Sequence, residues 1–269
     1  MSVIDKCVYK LERLDILSLN SEKAISSLEN TLHRQGCIHI TNQDLDPHEY
    51  INFAKKLGIL EIVRPEAHRL KGYEYIRLQS NIPGVGVQGG GGYWHSDSPW
   101  YDPPSLYTLL YCIEAPKLGG ETFFVNMCEL LRNLNPSLQE LLDKLNGVYP
   151  CKSILEAEFS QMQIHDVLLL QQMKDIVRGL IQVHPVTQEK FLFINEKWLS
   201  KILNVAAEES EKLLKYIYAE VENYCNKYIH KWAKGDLLIW DNNVVVHKAS
   251  KCSPYNRKIT QRIIVKSKE

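Results

Sequence analysis

Two side chains of metal-ligand type stand two residues apart in Tyr93-Trp94-His95-Ser96-Asp97. In an extended segment, residues i and i+2 face the same side. His95 and Asp97 would then present an imidazole and a carboxylate together, a donor pair suited to a first-row divalent metal. His-x-Asp alone is common, and a surface strand pair is its ordinary explanation. A third ligand must come from elsewhere, and His247 is the candidate. It closes the segment Gly235-Asp236-Leu237-Leu238-Ile239-Trp240-Asp241-Asn242-Asn243-Val244-Val245-Val246-His247: an apolar run, a polar turn and a β-branched run. A lone histidine in such a place is more often structural. Two imidazoles and one carboxylate from separate strands would instead form a facial triad, leaving positions open for dioxygen chemistry on iron(II).

Such ligands need a frame. Asn20 to Gln35 and Pro47 to Leu57 read as helices, from Ile25, Leu28 and Leu32 in the first and Tyr50, Phe53 and Leu57 in the second. Cys128 to Leu145, Ala157 to Leu180 and Ala207 to Tyr228 also read as helical. Strands are expected at Gly36 to Thr41, from Tyr93 onward, and at Ser105 to Ile113 and Thr122 to Val125. Further strands are expected at Phe191 to Ile194, Asp236 to Trp240, Val244 to His247 and Ile259 to Lys266. Gly119-Gly120 supplies a turn. The run from Gly84 to Gly92 reads as a loop, and a lid over the site is the functional reading of it. The expected architecture is one domain over residues 1–269, mainly β. It is a barrel or sandwich with a helical insertion at about 128–230.

The 269 residues suffice for a sizeable core. Lysine plus arginine balances aspartate plus glutamate at 32 each, and no basic run stands out, so nucleic acid is not an expected partner. No stretch approaches the roughly 18 apolar residues of a membrane span. The seven cysteines are odd in number and widely spaced, with no Cys-x-x-Cys, which argues against a disulfide framework and fits a reducing cytoplasm. A small-molecule substrate is expected, and self-association into a homo-oligomer is left open.

With Trp94-His95-Ser96-Asp97, Ala115-Pro116 through Gly119-Gly120-Glu121-Thr122-Phe123-Phe124, His184-Pro185, Phe191 to Asn195, Trp232-Ala233-Lys234-Gly235-Asp236 and Trp240-Asp241-Asn242 leading to His247 in this order, the chain resembles the taurine dioxygenase family of 2-oxoglutarate-dependent oxygenases, which includes 2,4-dichlorophenoxyacetate oxygenases. The resemblance runs from about Gly36 to Val265. It implies a double-stranded β-helix (jelly-roll, cupin-like) and an enzyme using Fe(II), 2-oxoglutarate and O2, with His95, Asp97 and His247 as iron ligands. Thr122 matches the threonine that hydrogen-bonds the distal carboxylate of 2-oxoglutarate. The family places arginines where this chain has Lys258 and Arg262. The lysine is a departure, because it lacks arginine's two-pronged fork. Arg262 assisted by Lys258 is the expected carboxylate partner, and Arg257 in a shifted register is the alternative. Arg64, Trp100 and Tyr101 are the expected substrate contacts; a surface arginine and two core aromatics are the plain alternative.

By resemblance, the reaction couples decarboxylation of 2-oxoglutarate to succinate and CO2 with oxidation of a small, anionic substrate. Hydroxylation is the expected outcome, and desaturation or oxidative decarboxylation of an amino-acid or fatty-acid derivative is the alternative. Halogenating relatives have a small residue at the position of Asp97, so oxygenation is expected here. The competing readings are a cupin-like hydrolase or isomerase, and a non-catalytic metal-binding relative.

Overall fold

A computed structural model describes residues 2–5, 8–12, 14–152, 154 and 174–268. Its main sheet follows the path Ser2–Asp5, Val8–Leu11, Cys37–Ile40, Leu237–Asp241, Tyr107–Glu114, Ile259–Lys266, Tyr73–Ser80, Arg69–Leu70. Ile59–Leu60 pairs with Ile259–Lys266, and Val87–Gln88 pairs with Tyr73–Ser80. A second sheet holds Tyr228–His230, Thr122–Asn126 and Val245–Ala249, in that order.

The period of two along each strand decides where the site lies. Leu237 and Ile239, Leu109 and Tyr111, and Ile263 and Val265 pack with Ile25, Leu28 and Leu32 of the helix Glu22–Gln35, and with Tyr50 and Phe53 of the helix Pro47–Leu57. Their neighbours Leu238, Trp240, Leu110 and Cys112 pack on the other side, with Phe124, Val125, Val245 and Val246 of the second sheet. The main sheet thus has helices on one face and the second sheet on the other.

Both helices begin where their sequence says they should. The Ser21 hydroxyl accepts from the Ala24 N–H, and Asp46 with Glu49 forms a capping box ahead of Pro47. Both Gly119 and Gly120 take positive φ in the turn before Thr122, conformations that residues with a Cβ rarely adopt.

Several expected elements differ. The stretch Cys128 to Leu145 is two helices, Met127–Asn133 and Pro136–Leu142. Pro136 has no N–H to continue the first, and the Asn135 side chain caps the second. Of the helix expected at Ala157 to Leu180, residues 157–173 lie outside those described. Its end, Ile176–Gly179, is a strand paired with Asn146–Tyr149, as the β-branched Ile176 and Val177 favour. The helix from Ala207 ends at Asn223, and Tyr228–His230 is a strand on Thr122–Phe124. Phe193 and Ile194 fall outside the short strand Lys190–Leu192. The strand expected from Tyr93 is a single bridge between His95 and His247. The eight-residue strand Tyr73–Ser80 was not anticipated, although Tyr-Glu-Tyr-Ile-Arg-Leu-Gln-Ser alternates as a strand should.

Candidate metal centre and cavity

His95 and His247 exchange backbone hydrogen bonds in both directions, at 3.1 and 2.8 Å, which brings the two histidine-bearing segments together. Their rings lie 4.1 Å apart between centroids. Asp97 Oδ2 stands 3.7 Å from His247 Nε2. One ligand atom from each of the three residues falls within a 4.8 Å cluster, and all three residues are buried. The loop carrying His95 and Asp97 is not a strand, so it is pinned from outside. The Asn195 amide donates to the Ser96 carbonyl, Glu196 accepts from the Trp94 N–H, and the Ser105 hydroxyl donates to the Asp97 carbonyl.

The tautomers follow from the hydrogen bonds. His95 Nδ1 lies 2.8 Å from the Tyr93 carbonyl oxygen, which only accepts, so Nδ1 carries the proton and Nε2 the lone pair. This is the arrangement that prepares a histidine for a metal. Burial lowers the pKa of His95, and burial with repulsion from His95 lowers that of His247 to about 3, so both imidazoles are neutral at pH 7. Burial alone would raise Asp97. The Arg262 charge, then His247, His95 and the Thr108 hydroxyl, outweigh it and hold Asp97 at about 2. Two neutral imidazoles and one ionised carboxylate are the donor forms that a divalent ion takes.

Among the described residues two further His/Asp clusters have metal-like spacing: His33, His184, Asp241 and His39, His230, Asp236. The first is engaged internally. His184 Nδ1 accepts from the Val186 and Thr187 N–H groups, so its Nε2 donates to Asp241 Oδ2, as does His33 Nδ1. In the second, His39 donates to Asp236 Oδ1 at 2.9 Å. Neither cluster contributes to the cavity walls, whereas His95, Asp97 and His247 all do.

That cavity has a volume of about 700 Å³. Lys258, Thr260 and Arg262 all face it, as their alternation in the last strand implies, and Thr122 lines it from the second sheet. Arg262 Nη1 donates to Asp97 Oδ1, and Lys258 Nζ donates to the Gly120 carbonyl at 2.7 Å. Arg257, the alternative partner, points away: it is exposed, its Nε donates to half-buried Glu114, and it is absent from the cavity wall. Arg64, Trp100 and Tyr101 are cavity residues, with Trp100 packed 4.6 Å from the Trp198 ring. Gly89 to Gly92 form part of the wall. A Cβ on Gly91 would meet the His95 ring at 3.2 Å, with φ at +72°.

Sequence reasoning missed three participants. Thr108 Oγ1 donates to Asp97 Oδ2 at 2.9 Å. Asn242 Oδ1 accepts from the Asp97 N–H and from the Trp240 indole. Glu61 lines the cavity and accepts from the Ser98 hydroxyl, and burial raises its pKa. A threonine inside the apolar run Leu106 to Leu110 was the readable signal for Thr108.

The sequence model of the taurine catabolism dioxygenase TauD, TfdA family matches residues 10–264. An alpha-ketoglutarate-dependent sulfonate dioxygenase of Saccharomyces cerevisiae is 29% identical over 245 residues, covering 85% of this chain and 57% of that protein. The chain thus spans little more than half the length of that relative. An alpha-ketoglutarate-dependent 2,4-dichlorophenoxyacetate dioxygenase of a Burkholderia species is 26% identical over 261 residues, covering 90% of this chain and 85% of that one. The solved structure of AAD-2 in complex with Mn(II) and N-oxalylglycine superposes with a TM-score of 0.78 at 21% identity, covering 100% of this chain and 97% of that one. This likeness shows the fold, the double-stranded β-helix expected from the sequence. No helix among the described residues is long and apolar enough to cross a membrane.

Proposed function

The chain belongs to the TauD/TfdA family, and from that premise we propose that it is an iron(II)- and 2-oxoglutarate-dependent dioxygenase, a single catalytic unit that oxidises a small anionic substrate. One observation carries the reading. Among the described residues, His95, Asp97 and His247 form the His/Asp cluster that lines the cavity, and the His95 tautomer turns the Nε2 lone pair toward a divalent ion. His95, Asp97 and His247 would hold the iron. Bound iron supplies the activation of dioxygen and the oxidising power.

The chain's own groups do the rest. Thr122, Lys258 and Arg262 offer a hydroxyl and two cations to the two carboxylates of 2-oxoglutarate. Thr108 and Asn242 orient Asp97 and its backbone. Arg64 with Trp100 and Tyr101 favours an anion carried on an apolar body, and these walls keep bulk water from the reacting carbon. Asp97 fills the position that halogenation needs vacant, which favours hydroxylation. The free cysteines among the described residues fit a reducing cytoplasm.

The test is an anaerobic titration of the iron(II) protein with 2-oxoglutarate, read as a visible charge-transfer band. Admission of oxygen follows, with succinate measured across a panel of sulfonates, phenoxy acids and amino acids. A band perturbed by one class, with succinate released, is expected. No band and no succinate would overturn the proposal.

A further inference from the structure

Behind the proposed cosubstrate site stands a side chain that touches two of its three polar groups, Thr122 and Lys258. Trp232 is buried, at 7% exposure, between the strands Tyr228–His230 and Leu237–Asp241. Its indole Nε1 donates to Thr122 Oγ1 at 3.0 Å. An indole N–H only donates, so Thr122 accepts there and its own O–H remains to be given elsewhere. The opposite requirement falls on Lys258. A lysine ammonium is a compact charge on a flexible stem, without the fixed fork that lets arginine grip a carboxylate. Here Nζ sits 5.0 Å above the Trp232 ring centroid and donates to the Gly120 carbonyl. The aromatic face and the carbonyl together hold one pole of the ammonium, leaving the other protons for an incoming anion.

Trp232 is itself braced. The His230 ring meets it edge-on, 4.4 Å away at 86°. His230 lies 3.2 Å from Asp236, whose other oxygen takes the His39 proton and which also accepts the Ala233 N–H. The His39, His230, Asp236 cluster therefore backs the indole from the side away from the cavity.

We infer that Trp232 is a positioning residue for the distal carboxylate of 2-oxoglutarate, aiming the Thr122 hydroxyl and fixing the Lys258 ammonium so that a lysine serves where a guanidinium fork would serve unaided. The inference rests on the cosubstrate reading above.

Its test uses the Mn(II)-loaded protein and isothermal titration at pH 7. The ligands are 2-oxoglutarate and 2-oxopentanoate, the latter having the same chain length without the distal carboxylate. Trp232→Phe keeps the ring and removes the N–H, and should weaken 2-oxoglutarate about tenfold while leaving 2-oxopentanoate unchanged. Trp232→Leu, which removes the face as well, should weaken 2-oxoglutarate further. In a Lys258→Arg background the extra loss of Trp232→Leu over Trp232→Phe should disappear, because guanidinium geometry no longer needs the aromatic face. Thr122→Val should show the same selective loss, and adding Trp232→Phe to it should cost little more, because the indole N–H acts through Thr122. Unchanged 2-oxoglutarate affinity in Trp232→Phe or in Thr122→Val overturns the inference, as does an equal loss of both ligands. If the parent protein binds 2-oxopentanoate but not 2-oxoglutarate, or neither, the cosubstrate reading falls and takes this inference with it.

Discussion

Arg262 donates from Nη1 to Oδ1 of Asp97, so the carboxylate of the proposed metal centre carries a cation before any metal arrives. Arg262 is also the largest influence pulling the Asp97 pKa down against burial. Arg262→Met should therefore have effects of different size at two pH values. At pH 7, where Asp97 is ionised in either case, removing the competing cation should raise Mn(II) affinity about tenfold, or about 1.4 kcal/mol. At pH 5 the gain should shrink, because Asp97 then protonates more readily. Titration calorimetry at the two pH values reads both. A lower affinity at pH 7 would remove Arg262 from that role.

Lys258 gives the proposed cosubstrate site a pH limit. Burial lowers its pKa to about 8, opposed in part by Cys112, Cys252 and Glu121. The ammonium is charged below that value and lost above it. Dissociation constants for 2-oxoglutarate should be flat from pH 6.5 to 7.5 and rise up to tenfold per unit above pH 8. Lys258→Arg should flatten the profile to pH 10, since a guanidinium stays protonated. A parent profile that stays level to pH 10 would refute this.

Removing the proposed carboxylate ligand should abolish metal binding. Asp97→Gly is expected to lose stoichiometric iron and at least a hundredfold of its succinate release. Near-full retention of both would take Asp97 out of the ligand set. Gly91→Ala acts on the same centre by crowding. Its Cβ would press on the His95 ring from a strained left-handed backbone, so a several-fold weaker metal affinity is expected.

Asp241 should matter to stability. It is fully buried and accepts from His33, His184 and Asn243. Asp241→Ala leaves those donors unpaired and should cost about 3 kcal/mol in chemical denaturation. Its carboxyl is shifted below the ordinary 3.8: burial raises it, but the hydrogen bonds from His184 and His33 prevail. A depressed carboxylate stabilises the fold above its unfolded value and ceases to do so on acidification. The parent should therefore keep this contribution above pH 4 and lose it as pH falls below, while Asp241→Ala should show a shallower acid transition.

The legible parts were those whose physics is local or repeats along the chain. Caps at Ser21 and Asp46, alternation through Leu237 to Trp240 and the shared face of Lys258, Thr260 and Arg262 are all written in neighbouring residues. The triad could be nominated because His95 and Asp97 adjoin and His247 ends a strand. The Thr108 bond to Asp97 and the Trp232 bond to Thr122 join residues 11 and 110 positions apart, and only the tertiary fold makes them neighbours. The break at Pro136 was readable from proline alone. The strand Ile176–Gly179 was obscured because its pairing with Asn146–Tyr149 is a tertiary choice that overrides local preference.

The closing strand Ile259–Lys266 is a two-sided ribbon: Ile263 and Val265 belong to the scaffold, Thr260, Arg262 and Ile264 to the reaction chamber. Evolution can therefore rewrite what the cavity recognises by exchanging every second letter, without disturbing the letters that keep the chain folded. A one-residue insertion there has no such freedom, for it would turn the arginine toward the greasy side and an isoleucine toward the metal.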